Sequence, residues 1–204
     1  MNWDLFAAFL VITLILMITP GPIVTLVLAT GAKDGVHAAL TTVLGTVIGN
    51  ALLLAAIACG LHWVLAFSAA LFEIMRWAGA AYLVWLGIRA WRRAGVAAQL
   101  EVPRGRVYFS RGLLVATTNP KTLAFFTAFL PQFVDPALPV GRQLLVMCVV
   151  SVLMAAVTDS AWAVMSGLGR AWLLAPTRAT FIGRCSALAL IGGGLWLSLA
   201  RRPG

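Results

Sequence analysis

Thr19-Pro20-Gly21-Pro22-Ile23 and Thr118-Asn119-Pro120-Lys121-Thr122 each cut a long apolar run in two. A proline inside a helix removes a backbone donor and clashes with the preceding turn, so each motif breaks its helix. Lipid cannot satisfy the amides and carbonyls that such a break exposes, and broken helices are tolerated in a bilayer where they line a cavity. Two breaks at corresponding places in the two halves of a chain mark a transporter's binding site. The expectation is a small carrier.

Composition agrees with that reading. The 204 residues are 62% hydrophobic and 10% charged, against about 25% charged in a soluble domain. The chain is therefore read as an all-α integral membrane protein. Its net charge of +9 lies largely in the connections between apolar runs, as membrane topology requires, and nucleic-acid binding is not expected. Cys59, Cys148 and Cys185 are isolated in apolar stretches with no CxxC pair, and read as small buried hydrophobes. Met1-Asn2-Trp3-Asp4 lacks the basic region that opens a cleaved signal peptide, so the run from Leu5 reads as a retained first span.

A span needs about 20 apolar residues. Six stretches qualify: Leu5–Ala29, Ala38–Leu61, Phe72–Trp91, Gly112–Pro131, Leu144–Leu168 and Phe181–Leu199. The uncharged stretch Trp63–Leu71 reads as an interfacial or re-entrant piece. Arg89, Arg92, Arg93, Arg104, Arg106 and Arg111 crowd the connection after the third segment. Basic loops near span ends stay in the cytoplasm, which puts loop 89–111 inside. By alternation Gly31–His37 and Gly169–Thr180 are also inside, and both termini are periplasmic. Arg201 and Arg202 then lie on the minority side of the charge count.

The two halves resemble each other. Repeat one, about residues 1–93, reads as a break, a polar mid-span Asn50 and a glycine-containing span ending in arginines. Repeat two, about 112–204, answers with Asn119-Pro120-Lys121, Asp159, and Gly192-Gly193-Gly194 before Arg201-Arg202. Three spans per half turn the second half upside down, the inverted repeat used for alternating access. One transmembrane domain over 1–204 is expected.

Asp159 and Lys121 each lie about nine residues from the cytoplasmic ends of their segments, at similar depths of roughly 13 Å. An ionisable residue inside a bilayer is a functional hypothesis whose partner must be named, and Lys121 is the natural partner. The alternative is a buried ion pair that fixes packing only. Pro22 suits the first turn of a new half-helix, which leaves the amides after it, from Ile23 to Thr25, aimed into the break with the positive dipole end. The same holds after Pro120. Two such N-termini could hold a carboxylate, with Thr19, Thr117, Thr118 and Asn119 as short polar contacts. A threonine in a span also back-bonds to its own helix. Gly45 and Gly49 form a GxxxG, which allows close helix approach. Asn50 after them reads either as an interhelical hydrogen bond or as part of the pathway. His37 and His62 sit near opposite ends of the second segment, and no HExxH, GxSxG or carboxylate cluster occurs. No enzyme, metal site or cofactor is expected.

With these residues in hand, the chain resembles the lysine exporter (LysE/RhtB) family of amino-acid exporters. The resemblance rests on Thr19-Pro20-Gly21-Pro22, Gly79-Ala80-Ala81-Tyr82-Leu83 with Leu86-Gly87-Ile88, Thr118-Asn119-Pro120-Lys121, and Leu130-Pro131-Gln132-Phe133, in family order and spacing. Trp77–Arg93 and Asn119–Phe133 look nearest the homoserine, homoserine-lactone and threonine branch. The resemblance implies export of amino acids or close derivatives from the bacterial cytoplasm across the inner membrane, coupled to proton entry. It carries a proline motif onto Pro20, Gly21 and Pro22, an Asn-Pro-Lys motif onto Asn119, Pro120 and Lys121, and an acidic residue onto Asp159. Ile23 stands where a polar residue commonly follows the first motif, and Asn50 where segment two often has aspartate.

The combined expectation is an exporter with six transmembrane helices built as two inverted three-helix repeats, helices 1 and 4 broken at their prolines. Pro20, Gly21, Pro22, Asn50, Thr118, Asn119, Pro120, Lys121 and Asp159 would bind the substrate, with Asp159 and Lys121 coupling protons. Its partners would be an amino-acid-type solute, protons, membrane lipid and, as an open possibility, a second copy in a homodimer. The rival reading is a structural or assembly subunit whose breaks serve packing; it requires no cavity at the paired breaks.

Overall fold

A computed structural model describes residues 1–67, 69–93, 107–168 and 176–199. Most of loop 89–111, residues 169–175 of the connection before the sixth segment, and Arg201-Arg202 lie outside the described residues. The described chain is helical throughout, with no strand: α1 (Trp3–Ile18), α2 (Pro22–Asp34), α3 (Val36–Phe67), α4 (Ala69–Arg93), α5 (Tyr108–Thr117), α6 (Pro120–Phe129), α7 (Val140–Leu168) and α8 (Pro176–Leu199). A 3-10 turn, Leu130–Phe133, follows α6.

Both proline motifs break their helices. α1 and α2 meet at a bend of 45°, and α5 ends at Thr117 before α6 starts on Pro120. Pro22 and Pro120 each occupy the first helical turn, where a missing N–H costs nothing. Val36–Leu61 and Val140–Ser166 are each long and apolar enough to cross a bilayer, and the bent pair α1–α2 qualifies as a third span. In the stretch read as interfacial or re-entrant, residues 63–67 continue α3 and 69–71 open α4, and residue 68 lies outside the described residues.

Side-chain distribution is inverted relative to a water-soluble bundle. On α3 the large apolar side chains of Leu44, Ile48 and Leu52, one turn apart, are exposed, while Thr42, Thr46 and Asn50 are buried. On α7 Leu145, Val149, Leu153 and Val157 are exposed, while Ser151, Asp159 and Ser166 are buried. An apolar outer stripe of this length suits lipid, and the buried polar face must find its partners inside the protein.

α3 packs against α2, α5 and α7, and α4 packs against α6 and α8. The GxxxG of α3 is spent inside the chain. A Cβ added at Gly49 would lie 2.7 Å from both Ala116 Cβ and Leu113 O, and one at Gly45 would meet the Phe109 carbonyl. This motif therefore brings α3 onto α5 and lends no support to a homodimer. Across the molecule the contact between α4 and α8 is reciprocal. An added Cβ at Gly87 would sit 2.8 Å from Ala187 O, and one at Gly194 would sit 2.8 Å from Ala80 O. Below them Phe125, Phe126, Phe129 and Phe133 join Phe9, Leu54, Leu83 and Met147 in the main core.

Candidate functional site

The breaks leave backbone groups without helical partners, and those groups build the site. The Ile15 carbonyl at the end of α1 accepts from Thr19 N at 3.1 Å, but Pro20 has no N–H to give the Leu16 carbonyl four residues before it. The Lys121 side chain, from the first turn of α6, runs into that end: Nζ donates to the Leu16 carbonyl at 2.7 Å and to the Thr19 carbonyl. Gly21 makes the approach possible, since a Cβ there would lie 3.0 Å from Lys121 Cδ. The cation of one broken helix thus caps the negative end of the other.

The two half-helix N-termini differ. Asn119 caps α6: its Oδ1 accepts from Lys121 N at 3.1 Å, and its Nδ2 donates to Thr122 Oγ1 at 2.8 Å. Gly21 offers α2 no side-chain cap. Ile23 and Val24, at the open end of α2, line a cavity of about 50 Å³ together with Gly21. Its other polar walls are Asn50 from α3, Asn119, Lys121 and Thr122 from α6, and Ser151 and Asp159 from α7. Of the two N-termini expected to face the break, α6 is thus capped by its own Asn119 and α2 has no side-chain cap.

Asp159 is 5% exposed, and its Oδ2 lies 3.2 Å from Thr46 Oγ1. The same hydroxyl lies 2.9 Å from the Val43 carbonyl. A hydroxyl has one proton to donate and can also accept. It can donate to an ionised Asp159, or donate to Val43 O and accept from a protonated Asp159. Thr46 is thus a partner for the carboxyl in either protonation state. The ion pair expected between Asp159 and Lys121 does not form here. Both face one cavity, but Lys121 is drawn to the freed α1 carbonyls.

Asn50 Oδ1 is buried with no hydrogen-bond partner. An orphaned acceptor of this kind costs about 1–3 kcal/mol, which a donor on a bound solute would recover. Its Oδ1 makes no interhelical hydrogen bond, and the residue lines the cavity.

Gly21, Asn50, Asn119, Lys121 and Asp159, five of the nine residues expected to bind substrate, line one cavity. Pro20, Pro22 and Pro120 do not line it and sit at the helix breaks. Thr118 does not line this cavity: it is exposed, and its hydroxyl donates to its own helix at Leu114 O, 2.7 Å away. Thr19 and Thr117 back-bond likewise, to Ile15 O and Leu113 O. Two contributors were missed. Thr46 stands one turn before Asn50, the spacing that places both on one helix face, so it was within reach of pattern reading. The Leu16 carbonyl had no side-chain signal. Among the described residues no group of His, Cys, Asp or Glu is placed to hold a metal ion.

The family of LysE type translocators matches residues 14–200. The chain belongs to the LysE family. It is an integral membrane translocator and not an enzyme. It is 31% identical to the homoserine/homoserine lactone efflux protein of Salmonella typhimurium, over 98% of this chain and 99% of the relative. It is 29% identical to a membrane protein of Vibrio cholerae, over 98% of this chain and all of the relative. A leucine efflux protein of Salmonella choleraesuis is 31% identical over 64% of each chain. No solved structure matches.

Proposed function

We propose that this LysE-family chain is an inner-membrane secondary exporter of neutral amino acids or close derivatives, driven by proton entry. The observation that carries the reading is the convergence of Lys121, Asp159, Asn50 and the uncapped α2 N-terminus on one cavity between two broken helices. That set matches a zwitterion. The solute carboxylate takes the Ile23 and Val24 amides and the Lys121 ammonium. Its ammonium takes Asn50 Oδ1 and the Asp159 carboxylate. A proton on Asp159 competes with that ammonium, so one site carries solute outward and a proton inward by turns. Efflux proteins for homoserine, homoserine lactone and leucine among the relatives favour this cargo class.

The proposed architecture is one domain of six spans in two inverted repeats, about 1–93 and 112–204, with both termini periplasmic. The paired breaks and the reciprocal glycine contact between α4 and α8 support it. The test is efflux of a labelled amino-acid panel from inside-loaded proteoliposomes, with and without an inward proton gradient. Gradient-stimulated loss of one amino-acid class is the expected result. Loss indifferent to the gradient rejects antiport, and no loss from folded protein rejects the exporter.

A further inference from the structure

A second cavity, of about 320 Å³, lies between α1, α4, α6 and α8. Leu83, Phe125, Phe129, Leu190 and Trp196 give it apolar walls, and Gly193 leaves its floor open. Leu16 lines this cavity and the polar one alike. Thr19 lines the apolar side, and the Leu16 and Thr19 carbonyls are the two that Lys121 holds. The partition between the cavities is therefore the broken end of α1, kept in place by the residue expected to meet the solute. At about 50 Å³ the polar cavity has room for a few waters, at about 10–15 Å³ each, and not for an amino acid. Ligand sites are commonly about 300–1,000 Å³, mostly apolar with a few converging polar groups. Neither cavity has that form alone, and Leu16 is the residue they share.

We propose that the apolar cavity receives the side chain of the transported solute, which makes neutral amino acids with large apolar side chains the preferred cargo. This rests on the exporter reading and adds its specificity. A solute carboxylate that draws Lys121 away frees the end of α1, and the apolar side chain then enters the opened space. A polar side chain would lose its water there without gaining partners.

The test is efflux of leucine, phenylalanine, serine and homoserine from proteoliposomes holding the full chain. Gly193→Leu puts a side chain into the cavity from a position where a Cβ is tolerated, 3.6 Å from Phe129 Cζ, an ordinary contact. Ile15→Trp narrows the same cavity from a half-exposed position on α1, so a folding defect in one variant leaves the other to decide. Wild type is expected to favour leucine and phenylalanine over serine, by roughly tenfold or more. Each filling variant is expected to lower leucine and phenylalanine efflux about tenfold and to leave homoserine efflux within about twofold. Equal wild-type rates for all four solutes, or equal losses for all four in a variant, overturn the subsite; a lipid tail in the cavity would give the latter. Efflux of serine and homoserine alone overturns the subsite and keeps the exporter. Efflux of none overturns both.

Discussion

The Lys121 ammonium lies 2.7 Å from the Leu16 carbonyl oxygen, which ties the start of α6 to the end of α1 across the middle of the molecule. Hydrogen bonds to charged groups contribute about 1.5–3 kcal/mol each, so this tether is a large local term. Lys121→Met keeps the stem and removes the charge. It leaves two buried carbonyls unsatisfied and takes away a carboxylate ligand. Efflux is expected to fall at least tenfold and the melting temperature of the purified protein to drop. Wild-type flux from this variant in proteoliposomes would rule Lys121 out of the pathway.

Gly21 gives a milder probe of the same relationship. Gly21→Ala puts a methyl 3.0 Å from the Lys121 stem, close enough to shift a flexible side chain by a few tenths of an ångström. The expected result is a several-fold weaker apparent affinity with a melting temperature close to wild type. An unfolded variant would show that the glycine serves the fold at the break and not the lysine's path.

Asp159 and Thr46 separate coupling from binding. Asp159→Asn keeps the shape and cannot exchange a proton. Gradient-driven efflux should vanish, while solute exchange between labelled inside and unlabelled outside pools persists at a reduced rate. Thr46→Val removes the hydroxyl 3.2 Å from Asp159 and should reduce gradient-driven efflux more than exchange, with Thr46→Ser restoring it. Equal effects on both modes would make Thr46 a packing residue.

Asn50 presents the unpartnered acceptor. Asn50→Leu removes the cost of burying it and the contact it offers to a solute ammonium. The apparent KM for export should rise about tenfold, the equivalent of about 1.4 kcal/mol, while thermal stability holds or improves. A loss of stability with unchanged KM would assign Asn50 to helix packing.

Gln143 anchors the far end of the bundle. It is buried; its Oε1 accepts from Asp135 N at 3.0 Å, and its Nε2 donates to Asp135 O at 2.9 Å. Asp135 Oδ2 in turn accepts from Asn2, the residue that caps α1. Gln143→Leu strands both backbone groups of Asp135, at a cost of about 1–3 kcal/mol each. The melting temperature should fall while specific efflux by the folded fraction stays near wild type.

The helical membrane class and the two helix breaks were legible in the sequence because both follow from local chemistry. An apolar run has no solution in water, and Pro22 or Pro120 cannot continue a helix whoever its neighbours are. Gly21, Asn119, Lys121 and Asp159 could be named on that basis, since breaks and buried charges announce themselves by residue type. The partners could not be read in the same way. Whether Lys121 meets Asp159 or the α1 carbonyls depends on which group lies nearer after the helices pack, and the Leu16 carbonyl carries no signature of its own. Thr118 and Thr46 are alike as residues and both bond their own helix, yet only Thr46 also reaches Asp159. Facing is set by helix rotation, a property of the whole bundle. The wall between the polar and apolar cavities exists only once four helices from both halves have packed, because it is made of backbone from one element and charge from another.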